Sequence, residues 1–495
     1  MNVSDFQNAV SHSEEILSAD RGVITPLDRY LGLRDLSSFP LWSEQSGWMG
    51  RIKTLIRRVA LAPLDRYHEA LLRQLRQALL ADNRAQPRPT DLPRLVYVAP
   101  FDVLSRNGGA TRILGLARAF SANFDVSIIS VVGPRRSLEV IPVAPGVSIY
   151  AVPQTPEFMR ALERDQKSFG GVAFSLGLDR HLDALPVLRY CYEQQAAGAA
   201  VCVLNQPHLV RLWRESKSRP YLVYDAPEVN SYFTLRNAGA SADKTEVRKV
   251  QFAQESETCE RADRIGMCSQ VDIEDLLKEQ GESLRQKITL VPNGVWVDET
   301  PFMPPSRARA LRAACGWPHP LAVFMGSAGT QPNRDAVTFI GTEIAPRYPD
   351  ASFALIGMNP RDTGLPTIPP NVFPCGRVSD MAKTAILSMA DVALSPIPGY
   401  DIGSSLKISE YMAHGKPVLA TTFGLRGYEM LGDALHPWPM DELPVAFGEA
   451  MRQLAGDSEA LDASACVARD RLREHYDWAV ISRRYGLPGL PMEAL

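Results

Sequence analysis

The segment from Gly403 to Glu410 joins residue types that suit a bound phosphate and a bound ribose. Gly403 and Ser404 favour a tight turn into a helix, and the N–H groups at a helix start attract an anion. Lys407 and Glu410 are three residues apart, so they share one face of that helix. The lysine can meet a phosphate, and the carboxylate can accept hydrogen bonds from a ribose diol. A capped helix with a surface Lys–Glu pair explains the same residues equally well.

A small-residue loop follows the predicted strand Leu321–Met325 and begins with Gly326 and Ser327. A glycine at this point lets a ligand approach the backbone closely. Arg334, a few residues further on, can bind a phosphate through two parallel hydrogen bonds. The alternative is an ordinary loop in which Asn333 caps the next helix.

Gly108 and Gly109 open a predicted helix after the strand Leu95–Ala99, which gives a second turn compatible with phosphate. We expect this pair to face a cleft from the other half of the molecule. The dinucleotide fingerprint GxGxxG is absent here, which argues against a Rossmann dehydrogenase.

Two acidic residues, Asp225 and Glu228, stand at the end of the predicted strand Tyr221–Tyr224. Both are candidate acids on the acceptor side of a transfer reaction. The alternative, of similar weight, is a loop aspartate followed by a glutamate in the first turn of a helix, where the helix dipole stabilises its negative charge.

Short apolar runs alternate with helical segments from Arg94 onwards, and this pattern predicts parallel sheets covered on both faces. The predicted strands form a first series, Leu95–Ala99, Val126–Val132, Val147–Val152, Ala199–Leu204, Tyr221–Tyr224, Arg264–Cys268 and Ile288–Val291, and a second series, Leu321–Met325, Ser352–Ile356, Val392–Leu394 and Pro417–Ala420. We therefore predict an α/β protein with two doubly wound lobes joined near residues 296–308. A ligand cleft is expected between the carboxyl ends of their strands.

Residues 1–90 lack strand patterns and are predicted to be helical, with apolar stripes at 52–59 and 64–80. One interpretation is a basic amphipathic helix on an anionic membrane, near a lipid-linked acceptor. We favour the other, a helical pair that packs on the amino lobe or on another subunit, because the charge count is modest. At the other end, Asp477–Tyr485 is predicted to form an amphipathic helix.

Length and composition set broad limits on the class of protein. The 495 residues suggest about three units, at roughly 100–200 residues per domain. A formal net charge of −3 gives no case for nucleic-acid binding. The seven cysteines lack the spacing of a zinc site or a disulfide framework, which favours a reducing compartment. Without a leader-like start or a long apolar run, we expect a cytoplasmic protein, with peripheral contact to the inner face of the cell membrane left open.

Taken together, these motifs resemble the bacterial glycosyltransferases of family 4, over about four fifths of the chain, from Arg94 to its end. The order of the motifs is more specific than any one of them. The matching segments are Asn107–Ala110 for the amino-lobe glycine loop, Val291–Val295 for the interlobe signature, Phe324–Ser327 with Pro332–Asp335 for the opening of the donor lobe, and Ala390–Val392 leading into Gly403–Val418 for the nucleotide helix.

The resemblance implies a GT-B-type fold of two Rossmann-like lobes, 91–300 on the acceptor side and 301–475 on the donor side. A helical extension, 1–90, precedes them, and a closing helix within 476–495 packs back on the amino lobe. The implied reaction is a metal-independent, cofactor-free transfer from a nucleotide sugar to a glycan or lipid-linked glycan, with retained anomeric configuration.

The resemblance also assigns roles to residues. Glu410 would hold the ribose, and Lys407 and Arg334 would neutralise the leaving diphosphate, where charge develops in the transition state. The residues expected to bind the donor are Gly108, Gly109, Gly326, Ser327, Arg334, Gly403, Ser404, Ser405, Leu406, Lys407 and Glu410.

Three positions depart from the family pattern: Ile402 replaces a glutamate, Ser327 an arginine and Pro227 a histidine. Asp401 lies beside the first of these positions and can substitute for it, or the amides of Gly403 and Ser404 hold the sugar. The candidate catalytic residues are therefore Asp225, Glu228 and Asp401. The departures leave two other functions open, a catalytically impaired nucleotide-sugar-binding scaffold and a nucleotide-sugar epimerase or hydrolase on the same fold.

Overall fold

The computed structural model of the protein describes residues 3–20, 91–105, 107–134, 137–237, 242–399, 403–456 and 458–488. The predicted helical stripes at 52–59 and 64–80 lie outside these ranges, as do Asp401 and Ile402. The described residues form two sheets surrounded by helices, which confirms the predicted α/β class with two mainly parallel sheets. We call the part built on the first sheet the amino lobe and the part built on the second sheet the carboxyl lobe.

The sheet of the amino lobe consists of β1 (Arg94–Ala99), β2 (Asp125–Val132), β3 (Glu139–Ala144), β4 (Val147–Pro153), β5 (Ala199–Leu204), β6 (Tyr221–Ala226), β7 (Arg264–Met267) and β8 (Ile288–Leu290). Their order is β3-β4-β2-β1-β5-β6-β7-β8, and only β3 runs antiparallel to its neighbour. The expectation of an all-parallel sheet missed β3. This strand contains Pro142, which removes a backbone donor and is tolerated because β3 lies at the edge of the sheet.

The sheet of the carboxyl lobe consists of β9 (Leu321–Met325), β10 (Ser352–Ile356), β11 (Val372–Gly376), β12 (Val392–Ser395) and β13 (Val418–Ala420). These strands are parallel in the order β11-β10-β9-β12-β13. The missed strand here is β11, again an edge strand that contains a proline, Pro374. Edge position and proline together explain why the apolar pattern did not reveal it.

The α-helices are α1 (Val3–Asp20), α2 (Gly108–Phe120), α3 (Pro156–Phe169), α4 (Ala173–Arg180), α5 (Pro186–Ala196), α6 (Val210–Glu215), α7 (Asn230–Asn237), α8 (Lys244–Arg261), α9 (Gln270–Gln280), α10 (Pro305–Ala314), α11 (Gln331–Phe339), α12 (Asp380–Met389), α13 (Leu406–Ala413), α14 (Leu443–Leu454), α15 (Ser458–Tyr476) and α16 (Trp478–Arg483). They follow the strands in the alternation expected of doubly wound sheets.

The winding of each sheet reverses at a central pair of strands, β1 and β5 in the amino lobe and β9 and β12 in the carboxyl lobe. Loops that leave the carboxyl ends of such a pair diverge and form a crevice, where α/β sheets bind their ligands. The loops after these four strands lead to Gly108, Asn205, Gly326 and Gly403, respectively. The topology therefore brings three of the predicted site segments to the two crevices.

The last helix of the described chain, α16, returns to the amino lobe and packs on α2. Trp478 is buried at this contact, and a Cβ added to Gly115 would lie 2.3 Å from its indole ring. A glycine at position 115 is therefore required for the tryptophan to fit. An isolated bridge between Val295 and Asp477 fixes the point where the chain crosses.

The first helix, α1, packs on the carboxyl lobe, against α12 and the aromatic cluster near β11. Phe6 is buried there, with its ring centroid 4.8 Å from that of Phe373 and 5.2 Å from that of Trp317. The helical pair that the sequence predicts to pack on the amino lobe or on another subunit lies outside the described residues and stays a prediction, whereas α1 itself packs on the carboxyl lobe. The reason is local, since the apolar face of α1 covers aromatic rings at the edge of the second sheet.

We expect the substitution Phe6→Ala to lower the free energy of unfolding by about 3 kcal/mol, because it removes a buried ring and leaves a cavity between two other rings. Urea unfolding of the full chain, followed by tryptophan fluorescence, measures this loss. Val3→Ala is the matched control on the same helix, since Val3 is 56% exposed. Equal effects of the two substitutions would show that α1 does not dock through Phe6.

Candidate functional site

The turn Gly403–Ser405 leads into α13 at the carboxyl end of the second sheet. Gly403 has φ +73°, a conformation that favours glycine, and Ser405 precedes the helix without making a side-chain cap hydrogen bond. The two charged residues of α13 do not pair with each other, since each has another partner. The alternative of a capped helix with a Lys–Glu surface pair is therefore wrong in both respects. A helix start without a side-chain cap is suited to an anion.

Lys407 lies at the first turn of α13 with 9% of its surface exposed. Its Nζ donates to Oδ1 of Asn333, 2.9 Å away, and lies 4.5 Å from the centroid of the Phe324 ring. A cation held over an aromatic face is stabilised by the ring quadrupole. The amine is thus fixed in direction between α13 and the end of β9, where a diphosphate at the helix start would be within its reach.

Asn333, which sequence reasoning treated only as a possible helix cap, is a positioning residue of this site. It lies inside α11, and its Nδ2 donates to the Ser327 carbonyl, 3.1 Å away, while its Oδ1 holds Lys407. A Cβ added to Gly326 would lie 2.7 Å from the Asn333 side chain. Gly326 therefore makes room for Asn333, which in this conformation occupies the space that a ligand was expected to enter.

Arg334, on the next position of α11, is engaged within its own loop. Its Nη1 donates to the carbonyl of Ala328, and its Nη2 donates to Oε1 of Gln331, 2.5 Å away. Contact with a diphosphate stays a prediction for this residue, and it requires the side chain to turn away from these acceptors.

Glu410 lies one turn further along α13 and forms an ion pair with Lys383 of α12, at 2.6 Å between Oε1 and Nζ. The two side chains are 24% and 29% exposed, so both are partly accessible to solvent. Lys383 was not singled out from the sequence, because nothing in the chain order links it to α13. Its charge fixes the direction of the carboxylate that is predicted to hold a ribose.

The glycine pair of the amino lobe meets α13 across the lobe boundary. A Cβ on Gly108, the first residue of α2, would lie 3.3 Å from Cδ1 of Leu406, the first residue of α13. A Cβ on Gly109 would lie 2.9 Å from the Phe101 ring. The positive ends of two helices, one from each lobe, thus converge, and both favour an anion placed between them.

The two candidate acids of the amino lobe have different surroundings. Glu228 lies at the cleft, where a Cβ on Gly403 would fall 3.3 Å from its Oε2. Asp225 is wholly buried, and its carboxylate accepts from Arg112, Tyr97, Tyr485 and Asn205, with Arg112 Nη2 at 2.6 Å. Asp225 therefore cannot contact an acceptor in this conformation, and its geometry favours a supporting role over the predicted catalytic one.

The surroundings of Asp225 also keep it charged. Burial raises the pKa of this carboxyl, but the Arg112 charge and the hydrogen bonds from Arg112, Tyr485 and Tyr97 outweigh burial and lower the pKa below its usual value. Arg112 also donates to Oδ1 of Asn293, 3.2 Å away, and Asn293 Nδ2 donates to the Ser404 carbonyl at 2.7 Å. The buried pair is thus connected to the turn Gly403–Ser405 through Asn293.

Lys416 secures the other end of α13. It is 3% exposed, and its Nζ donates to the carbonyls of Met303 and Ser388 at 2.6 and 3.0 Å. Burial lowers the pKa of Lys416 to about 7. In the folded protein this amine loses its proton near neutral pH, whereas in the unfolded chain it keeps the proton up to about pH 10.

This difference predicts a pH dependence of stability. Between about pH 7 and pH 10 the unfolded chain binds more protons at Lys416, so its contribution makes the free energy of unfolding rise with pH, by up to about 1.4 kcal/mol per pH unit. We expect Lys416→Met to remove that rise, as measured by urea unfolding of both proteins at pH 7 and pH 9. Parallel pH dependences in the two proteins would contradict a depressed pKa.

Two further observations bear on the chemistry of the site. Among the described residues, no group of three or more His, Cys, Asp or Glu side chains is arranged to hold a metal ion. In the same part of the chain, no helix has the length and apolar character needed to cross a membrane.

Comparison with known proteins gives a family match for the carboxyl lobe. Residues 319–457 match the family model described as glycosyl transferases group 1, and this match confirms the prediction of a glycosyltransferase. The matched range begins just before β9 and contains the Gly326 loop and the whole of α13. No curated protein matches the chain significantly.

Several solved structures share this fold, and the match covers nearly the full length of each of them. Sucrose-phosphate synthase from Thermosynechococcus elongatus is 16% identical, with a TM-score of 0.57, and the match covers 80% of this chain and 97% of that one. An α,α-trehalose-phosphate synthase (UDP-forming) from Burkholderia xenovorans is 13% identical, with a TM-score of 0.54 and coverages of 80% and 99%. An Anabaena protein solved with UDP and glucose is 15% identical, with a TM-score of 0.52 and coverages of 80% and 98%. At these identities the likeness establishes the GT-B-like fold.

Proposed function

We propose that this protein is a retaining glycosyltransferase, of the family 4 type, that transfers a sugar from a nucleotide sugar to a glycan or lipid-linked glycan. One observation carries the proposal: the starts of α2 and α13 meet across the lobes at Gly108 and Leu406, beside Lys407. Two helix dipoles and a buried lysine converge there, and a diphosphate is the ligand that such a place suits best.

In the proposed complex, the nucleotide lies along α13. Glu410 accepts hydrogen bonds from the ribose hydroxyls, while Lys407 and the amides at the start of α13 face the diphosphate. Arg334 adds a second cation once it leaves the Ala328 carbonyl. Because Lys407 and the amides at the start of α13 are held before the reaction, they stabilise the charge that develops on the leaving diphosphate without reorganisation. The reaction therefore needs no metal ion in this proposal.

The acceptor is expected on the amino-lobe side, where Glu228 borders the turn Gly403–Ser405. Glu228 is the candidate to contact the attacking hydroxyl. Asp401, which lies outside the described residues, stays a candidate catalytic residue from the sequence alone. Asp225 is buried beneath the amino-lobe side of the site and serves as a support. The Burkholderia xenovorans synthase is UDP-forming and the Anabaena protein was solved with UDP and glucose, so UDP-glucose is the first donor to test.

A direct experiment separates transfer from its rivals. The purified full chain is incubated with UDP-, GDP- and ADP-linked sugars, with and without oligosaccharide or lipid-linked acceptors, in the presence of a chelator, and products are resolved by chromatography and mass spectrometry. Acceptor-dependent release of nucleoside diphosphate, with a product of the same anomeric configuration as the donor, is expected. Release or epimerisation without acceptor would indicate the hydrolase or epimerase, and binding without turnover would indicate the scaffold.

A lipid-linked acceptor would lie at a membrane surface, and this suggests a role for the N-terminal helical extension. We propose a cytoplasmic enzyme in which residues 21–90, the part of the extension that follows α1, contact either the inner membrane surface or a second subunit, without any nucleic-acid partner. Sedimentation with anionic vesicles and the molar mass in solution, measured for the full chain and for a chain lacking residues 21–85, distinguish these contacts. If neither property changed, both proposed roles of the extension would be wrong.

A further inference from the structure

Two amino-lobe side chains hold the turn Gly403–Ser405, which we call the donor turn, through its backbone groups. The amide of Gly403 donates to Oδ1 of Asp272, at 3.4 Å, and the carbonyl of Ser404 accepts from Nδ2 of Asn293, at 2.7 Å. Asp272 and Asn293 both belong to the amino lobe. The Gly403 amide therefore faces the amino lobe in this conformation. One interpretation of the sequence is that this amide holds the sugar, and in this conformation it does not point to a sugar site.

Asp272 sits in the first turn of α9 and is 1% exposed. Ser269, the N-cap of α9, accepts from the Asp272 amide at 3.1 Å and donates to Asp272 Oδ2. The carboxylate is thus locked in one orientation by its own helix start. A side chain fixed in this way presents its second oxygen, Oδ1, to the carboxyl lobe at a set position.

Arg426, on the loop after β13 of the carboxyl lobe, fills the remaining space around that oxygen. Its Nη2 lies 2.7 Å from Asp272 Oδ1 and its Nε donates to Ser269 Oγ at 3.3 Å. Arg426 is 8% exposed, so the ion pair crosses the lobe boundary almost without water. Asp275, at 3.6 Å from Arg426 Nη2, is a more exposed acid on the same helix.

The geometry around Ser404 leaves little freedom for the turn. A Cβ added to Gly427, which follows Arg426, would lie 2.4 Å from Ser404 Oγ and 2.9 Å from the Cys268 carbonyl. Arg426 and Gly427 thus bring the loop after β13 into contact with both the turn and the amino lobe. Separating the lobes would break the ion pair and both backbone hydrogen bonds of the turn at once.

We propose that Asp272 is a positioning residue for donor binding: from the amino lobe it fixes the Gly403 amide and the Arg426 guanidinium together, so the turn takes its binding geometry only when the lobes are in contact. The proposal rests on the function proposed above, since it assumes that the start of α13 binds the diphosphate. With Gly403 turned to Asp272, the following amides at the start of α13 face the ligand. Donor affinity is thereby linked to lobe contact.

The test compares Asp272→Ala and Asp272→Asn with the control Asp275→Asn in the full chain. Dissociation constants for UDP, GDP and ADP are measured by calorimetry, at a temperature where near-ultraviolet circular dichroism shows every variant folded. We expect Asp272→Ala to raise the dissociation constant by about tenfold or more for the nucleoside diphosphate that the unaltered protein binds best, because a hydrogen bond to a charged group is lost. Asp272→Asn should raise it less, since an amide oxygen can still accept from Gly403.

The controls separate this role from simple stability. Asp275→Asn should leave the dissociation constant unchanged within about twofold, since this partly exposed side chain lies 3.6 Å from Arg426 Nη2 and such ion pairs contribute little. Unchanged affinity in both Asp272 variants, even with a lowered melting temperature, would overturn the proposal and leave the proposed function intact. If the unaltered protein bound none of the three nucleotides, the proposed function would fail, and the positioning role with it.

Discussion

Replacing Lys407 with methionine is expected to lower kcat/KM for sugar transfer by about 10²–10³-fold, the loss typical of removing one preorganised group that stabilises transition-state charge. The lysine is buried and is fixed by Asn333 and the Phe324 ring, so little reorganisation is needed when the diphosphate leaves. Methionine keeps most of the side-chain length and removes the charge. Initial rates at low donor concentration, in the presence of acceptor, give kcat/KM directly.

Two comparisons make the result specific to the diphosphate. Lys217→Met, an exposed lysine on the amino lobe, should leave kcat/KM unchanged. Lys407→Met should also weaken binding of the nucleoside diphosphate while leaving binding of the nucleoside alone nearly unaltered. An equal loss for both ligands would mean that Lys407 supports the fold of the site without meeting the phosphates.

Replacing Arg112 with methionine is expected to cost about 3–5 kcal/mol in the free energy of unfolding, because it leaves a charged partner buried and uncompensated. Arg112 is 1% exposed and Asp225 is 0% exposed, so no water can replace the lost guanidinium without opening the core. Arg112 also donates to the carbonyls of Val291 and Pro292, which would lose that donor. Urea unfolding of the full chain, monitored by far-ultraviolet circular dichroism, measures the change.

The matched control is Arg160→Met, which removes an arginine from an exposed ion pair with Glu157, three residues away on α3. Both side chains are more than half exposed, so the effect should stay within about 0.5 kcal/mol. If Arg112→Met were as mild as the control, Asp225 would have to be neutral in the folded protein, against the lowered pKa that its surroundings give it.

Local patterns in the sequence were sufficient for the fold because buried parallel strands are continuous apolar runs, and these runs are visible in the chain. The strands Leu321–Met325 and Ser352–Ile356 have the bounds expected from that pattern. The two strands that the pattern missed, β3 and β11, lie at sheet edges and contain proline. An edge strand packs fewer neighbours, so its sequence carries a weaker apolar pattern.

The site was less predictable, because its chemistry depends on contacts between distant segments. The spacing of Lys407 and Glu410 revealed one helix face, but nothing in the spacing indicated that Asn333 holds the lysine or that Lys383 holds the carboxylate. Asp225 illustrates the opposite case. Its position after a strand suggested an exposed acid, whereas Arg112 and three other side chains, one of them from the far end of the chain, enclose it.

The central claim is that a nucleotide sugar binds along α13 with Glu410 on its ribose, and one thermodynamic cycle tests it most directly. Calorimetry would compare the best-binding nucleoside diphosphate with its 2′,3′-dideoxy analogue, in the unaltered protein and in Glu410→Ala. We predict that Glu410→Ala weakens binding of the natural nucleotide by about 10–100-fold, the contribution of hydrogen bonds to a charged carboxylate, and leaves binding of the dideoxy analogue nearly unchanged. Equal effects on the two ligands, or no effect on either, would contradict the claim.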